Sequence, residues 1–230
     1  MIDPVYERHL ASLQTSLTTL PDKPEEDAEN TLRSLWFAAH GLPVSVELAV
    51  ARDLPTLNEN EYEKLENLVR QRLQGTPLAH LTGRQRFMDL ELLAGPEALI
   101  PRKETELLAR GALAVVKEIV AAQGKAVVVD VCTGSGNIAC TIAHYEPNAM
   151  VYAADVSPEA VGLAQRNARH IGVHERVTFR EGDLLKPFEA DPGFGNVDVV
   201  TCNPPYIGRQ AGRIRRRPAA QEAPAGVGRL

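Results

Sequence analysis

Through the first 75 positions apolar residues recur at spacings of three and four, as at Tyr62, Leu65, Leu68 and Val69, which marks one face of a helix. The pattern predicts helices over about residues 3–20, 26–39, 45–51 and 58–73. Asp3 supplies a cap and Pro4 fits the first turn of the first helix, and the prolines at 21 and 24 end it. Residues 1–75 therefore read as a small helical bundle.

The character changes between 75 and 103. Gly83, Gly95, Pro96 and Pro101 punctuate short apolar runs at 87–93 and 98–100, which suits a hairpin linker. A helix over about 104–122 follows. Strands are then predicted at 126–131, 150–155, 177–181 and 197–202, with helices at 137–144 and 158–171 between them. Strands alternating with helices imply a parallel, doubly wound α/β sheet. The helix at 158 carries Ser157 as cap, Pro158 at its first position, Glu159 in its first turn and Gly172 past its end.

Length and composition narrow the class. A chain of 230 residues with 44% hydrophobic content supports one sizeable α/β core and a small companion domain. No run of about 18 apolar residues occurs, and Asp3 and Glu7 stand where a secretory signal would be basic, so neither a membrane span nor export is expected. Cys132, Cys140 and Cys202 form no CxxC pair and no cluster with histidines, which points to a reducing cytoplasm without structural zinc. The formal charge is −5, yet residues 207–230 hold six Arg against one Glu, leaving an acidic body. Such a body disfavours a broad phosphate footprint on duplex DNA.

The first candidate site lies where the strand at 126–131 turns into a helix: Asp130-Val131-Cys132-Thr133-Gly134-Ser135-Gly136. Glycines let a ligand approach the backbone there, while the helix N-terminus offers N–H donors. The stretch reads as a structural turn or as a nucleotide-type cradle, and Gly134-x-Gly136-x-x-Ala139 also fits the dinucleotide pattern. Asp130 shifts the choice of ligand, because a carboxylate beside the loop repels a pyrophosphate and suits the ammonium and sulfonium charges of S-adenosylmethionine. Asp155 ends the next strand, where a carboxylate accepts ribose hydroxyls in other nucleoside-binding α/β folds. Asp183 follows the third strand, placed either to reach an adenine amino group with Leu184 packed on the ring or simply to form a Gly-Asp turn.

Asn203-Pro204-Pro205-Tyr206 follows the strand at 197–202 directly, and strand carboxyl ends are where open α/β sheets hold ligands. An amide or amine nitrogen is a poor nucleophile and must be held in line with the methyl donor. Asn203 can accept one of its N–H groups through the side-chain oxygen and Pro204 the other through its carbonyl. The prolines fix the loop's φ angles, and Tyr206 offers a flat face to a planar group.

The tetrapeptide is shared by several amino-methyltransferases, on DNA and on protein. The upstream segments are more specific: Gly75-Thr76-Pro77-Leu78-Ala79-His80-Leu81-Thr82-Gly83, Phe87, and Leu99-Ile100-Pro101-Arg102-Lys103-Glu104-Thr105-Glu106. Together they closely resemble the release-factor glutamine methyltransferase family, the HemK/PrmC type, over about residues 1–207. The resemblance implies a Rossmann-like S-adenosylmethionine-dependent methyltransferase domain at 104–206, a helical substrate-docking domain at 1–75 and the hairpin linker at 76–103. It also implies that residues 132–136, Asp155, Leu184 and Asn203 line the cofactor site, while Asn203 to Tyr206 hold the glutamine of a peptide chain release factor. Cys132 stands where many members have the loop's first glycine, and His80 where a tyrosine is common. Arg102, Thr105 and Glu106 belong to the matching segment without a role assigned.

Residues 207–230 depart from the family. They read as a disordered basic tail of the kind a frameshift leaves, in place of further strands, so an open sheet edge and poor stability are expected. Two other functions stand beside the first: a non-catalytic fragment, and a nucleic-acid amino-methyltransferase, which the missing basic face disfavours.

Overall fold

The computed structural model describes residues 3–191, 194 and 196–205. Its first part is the helical bundle: α1 (Pro4–Ser16), α2 (Ala28–Ala39), α3 (Val46–Val50) and α4 (Glu59–Leu73). Asp3 caps α1 as expected, and α2 and α4 carry caps of their own. Asp3 accepts from the Val5 N–H at 2.8 Å, Asp27 accepts from Asn30, and Asn58 and Glu61 form a reciprocal capping box. Helix α1 stops at Ser16, short of the predicted 20, because Leu17 is already extended and the β-branched Thr18 and Thr19 favour a non-helical chain. Leu13, Leu32, Leu35, Trp36, Leu65 and Val69 form the bundle's core, with Tyr6 and Tyr62 edge-on to Trp36.

A short helix not read from the sequence, α5 (Leu78–Thr82), leads into an antiparallel hairpin of β1 (Arg84–Phe87) and β2 (Leu90–Leu93). The apolar run at 87–93 is therefore divided by a turn at Met88 and Asp89, and 98–100 is no strand. Met88 takes φ 53°, so the turn carries none of the Gly or Asn signal that marks a hairpin. The Met88 N–H donates to Glu106 (2.8 Å), at the start of α6 (Lys103–Gln123). Ser45 N–H donates to Glu91, and Lys103 pairs with Glu25, so the bundle, hairpin and α6 are tied to one another.

The second part alternates β3 (Ala126–Val131), α7 (Asn137–Tyr145), β4 (Ala149–Asp155), α8 (Pro158–His170), β5 (Val177–Glu181) and β6 (Val199–Cys202), with a 3-10 turn at Lys186–Phe188. The strands form a parallel sheet in the order β5-β4-β3-β6. Fully buried Val128, Val151, Ile138 and Ile142 pack with α6 and the hairpin on one face, while Val129, Val131, Tyr152 and Phe188 cluster separately. The chain steps from β3 to β4 to β5 in one direction and then returns to the other side of β3. The switch point lies between β3 and β6, where open α/β sheets bind ligands beyond the strand ends.

Candidate active site

Four neighbouring strands end in the residues that the sequence singles out. The register pairs Val131 with Cys202, so the loop 132–136 and Asn203 leave the sheet side by side. Asp155 pairs with Glu181, which places Asp183 and Leu184 beyond the adjacent strand. Cofactor-loop, acidic and Asn-Pro residues thus stand in a row about 14 Å long, three strand spacings across.

The loop is built around left-handed backbone at Cys132 (φ 56°), Gly134 (φ 55°) and Gly136 (φ 76°). The two glycines have different reasons. A Cβ on Gly136 would lie 2.8 Å from the Ala164 Cβ and 3.3 Å from the Phe179 ring, so close packing against α8 requires glycine. A Cβ on Gly134 would meet none of the described residues within 4 Å, leaving room over the loop's backbone for a ligand. Thr133 is buried and its N–H donates to the Ala154 carbonyl. Ser135 is buried too, and its hydroxyl has no partner among the described residues.

Asp155 accepts the Gly134 N–H through one carboxylate oxygen (2.9 Å) and the Ser157 N–H through the other (3.0 Å). These bonds hold it at the mouth of the loop and leave each oxygen a further lone pair. Asp183 is exposed and paired with Lys186 at 2.8 Å, and the half-exposed Leu184 beside it adopts φ 53°, rare for a leucine.

Asp130 does not face the ligand side as its position in the sequence suggested. It is 1% exposed and accepts hydroxyl bonds from Thr133 (2.6 Å) and Thr201 (2.7 Å). The carboxylate anchors the loop and β6 to β3. Burial pushes its pKa up to about 6, against the opposing effect of the two threonines. Burial likewise pushes the Cys132 thiol up to about 11 and raises that of Cys140 further.

Asn203 is half-buried, and its Nδ2 donates to the Thr105 hydroxyl at 3.3 Å on the first turn of α6. Pro204 and Pro205 are exposed beside it; Tyr206 lies outside the described residues. Three participants were given no role from the sequence, although Thr105 lies in the segment that matches the family. Thr105 and Thr201 are ordinary helix and strand residues in pattern. Asn167 is fully buried on α8, where its Nδ2 donates to the Ser135 carbonyl (2.9 Å) and the Leu93 carbonyl (3.2 Å), and its Oδ1 accepts the Leu93 N–H (2.6 Å). An asparagine on the alanine-rich, inward face of an amphipathic helix was the available signal.

Residues 13–83 match the PrmC N-terminal domain and residues 106–217 the Methyltransferase small domain. The release factor glutamine methyltransferase of Chlorobaculum tepidum is 41% identical over 200 residues, covering 85% of this chain and 66% of that protein. That of Moorella thermoacetica is 43% identical over 136 residues, covering 59% of this chain and 45% of that protein. The chain belongs to the release factor glutamine methyltransferase family. It spans between about half and two thirds of the length of these two relatives. The two matched segments of the family correspond to the bundle with its short α5 and to the methyltransferase sheet with most of α6. Among the described residues no helix is long and apolar enough to cross a membrane.

The loop's chemistry fits the family's cofactor. Open space over Gly134, an unpartnered buried hydroxyl on Ser135 and an acidic group with spare acceptor capacity at Asp155 suit an uncharged nucleoside on a cationic arm. Among the described residues no cluster of basic side chains stands there to neutralise a pyrophosphate, and Asp155 and Asp183 would repel one.

Proposed function

We propose that this site transfers a methyl group from S-adenosylmethionine to the side-chain amide nitrogen of the glutamine in the Gly-Gly-Gln loop of a peptide chain release factor. The observation that carries the reading is the placement of Asn203-Pro204 at the end of β6, beside the glycine loop of β3. The loop 132–136, Asp155, Asp183, Leu184 and Asn203 would hold the cofactor, which supplies an electrophilic methyl on a sulfonium. Asn203 accepts one N–H of the glutamine amide and the Pro204 carbonyl accepts the other, while Pro205 stiffens the turn and Tyr206 covers the planar group. Two acceptors on one nitrogen orient its lone pair and favour the positive charge that develops there. The proton leaves afterwards, so positioning and electrostatics supply the catalysis without a strong base. The helical bundle docks the release factor, and the enzyme works in the cytoplasm without a membrane or nucleic-acid partner.

Incubation with labelled S-adenosylmethionine and a release factor tests this. Label is expected on the Gly-Gly-Gln glutamine and absent from a glutamine-to-alanine factor; label on DNA alone would overturn the reading. Asn203→Ala should lower turnover by about 10²–10³, the usual cost of one preorganised acceptor, and far more than it lowers cofactor affinity. Asp155→Ala should weaken S-adenosylhomocysteine about tenfold or more in a calorimetric titration, because hydrogen bonds to a charged acceptor are lost.

A further inference from the structure

We propose that Cys132 and Cys202 are the site of a reversible disulfide, and that this bond disables the site when a hydroperoxide reaches it. The loss of methyl transfer rests on the reading of the site given above. The bond itself rests only on where the two thiols stand.

The sheet order brings the two cysteines together from distant parts of the chain. The ladder pairs Val131 with Cys202, and Cys132 is the next residue of the loop. One strand spacing sideways and one residue step along put the two Cα atoms about 6 Å apart, inside the span that a disulfide bridges. Cys132 leaves the strand on left-handed backbone, and its thiol has the Cys202 thiol facing it, with Asp155 and Asp130 also close. Cys202 is exposed and Cys132 half-buried, whereas Cys140 lies in the core on α7, out of reach of an oxidant in solution. Burial first and then these neighbours raise the Cys132 thiol to about 11, so it is protonated near neutral pH and Cys202 is the thiol that reacts first.

The Cys202 thiolate attacks one oxygen of the peroxide, the O–O bond breaks, and a sulfenic acid forms on Cys202. Cys132 then attacks that sulfur as its proton passes to solvent, the S–O bond breaks and water leaves. Two thiols are oxidised by two electrons and one hydrogen peroxide becomes two waters; a small dithiol reverses the change by exchange. The new bond draws the sulfurs to about 2 Å from each other. It pulls the first residue of the cofactor loop towards the residue next to Asn203, and a displacement of about 1 Å at a reacting centre costs on the order of 10²-fold in rate. A glycine at position 132 could form no such bond, so the device belongs to this chain and not to the family as a whole.

The full chain, treated with hydrogen peroxide and digested without reduction, should yield a peptide containing Cys132 joined to one containing Cys202, and should yield it as separate peptides after dithiothreitol. Oxidation should weaken S-adenosylhomocysteine about tenfold, the worth of one hydrogen bond of ordinary strength, and lower turnover on a release factor about 10²-fold, both restored by dithiothreitol. Cys202→Ser should keep its own affinity and turnover through the same treatment. If the reduced wild type proves inactive on release factors, the reading of the site fails, while the mapped bond and the titration still decide this proposal. Oxidation that stops at Cys202 alone, a disulfide between two chains, a joined peptide with unchanged S-adenosylhomocysteine affinity, or an equal loss in Cys202→Ser would each overturn it.

Discussion

At the residue scale the loop after β3 shows how two glycines two positions apart do different work. Gly134 and Gly136 both have positive φ, so alanine at either carries a backbone cost of about 1–2 kcal/mol. Only at Gly136 does the new methyl collide, with Ala164 and Phe179. Gly136→Ala should therefore lower the melting temperature clearly more than Gly134→Ala, because α8 has to shift. Gly134→Ala should stay folded and lose cofactor affinity, since its methyl occupies the space left open above the loop. Thermal melts paired with S-adenosylhomocysteine titrations separate the two: equal effects on stability would contradict the packing role of Gly136, and unchanged affinity in Gly134→Ala would show that the open space is not the ligand's. The glycine motif itself was legible in the sequence because its spacing between strand and helix is distinctive. Which glycine serves packing and which serves the ligand was not, since that depends on what faces each Cα. The same limit applied to Asp130: its position beside the loop was evident, but its burial under two threonine hydroxyls follows from the strand pairing of Thr201 with Asp130.

At the element scale one polar side chain clasps the hairpin to α8 and the cofactor loop. Asn167 uses both ends of its amide to bind the Leu93 backbone and reaches the Ser135 carbonyl as well, so α8, β2 and the cofactor loop meet at it. Asn167→Ala removes three hydrogen bonds from a fully buried position and leaves their backbone partners without replacements, a loss of about 2–4 kcal/mol. The expected result is a lower denaturant midpoint together with faster amide exchange in β1 and β2; a hairpin whose exchange is unchanged in the variant would contradict the clasp. Helices and parallel strands were legible here to within a few residues, because Asp3 and Ser157 cap as their types suggest and the apolar periods switch cleanly. The hairpin was only half legible. Its turn sits inside an apolar run and uses a left-handed methionine, and α5 is too short for a period to show.

At the scale of the whole molecule the order β5-β4-β3-β6 converts separate motifs into one site, and no local pattern encodes that order. The alternation of strands and helices alone allowed other sheets. Among the described residues β6 is hydrogen-bonded to β3 alone, and Val200 on it is half-exposed. Besides the backbone ladder, β6 is fastened to β3 by the carboxyl at the centre of the sheet, Asp130, with Thr201 on one oxygen and Thr133 on the other.

That carboxyl also gives the fold a measurable pH signature. Burial raises the folded pKa of Asp130 from 3.8 to about 6, so the folded chain holds its proton more tightly than the unfolded chain does. The stability it contributes is therefore full below about pH 4 and is lost as pH rises through about 6, a change of roughly 3 kcal/mol for a shift of about two units. An asparagine side chain in its place would imitate the protonated acid, donating to one threonine and accepting from the other, without a charge to bury. Asp130→Asn should then match the wild type near pH 4 and be the more stable chain near pH 7.5. Denaturant unfolding of both chains at several pH values between about 4 and 7.5 isolates the effect, because every other titrating group is common to the two. A stability difference that stays flat across that range would mean that the carboxyl is ionised throughout and that the threonines, rather than burial, set its charge.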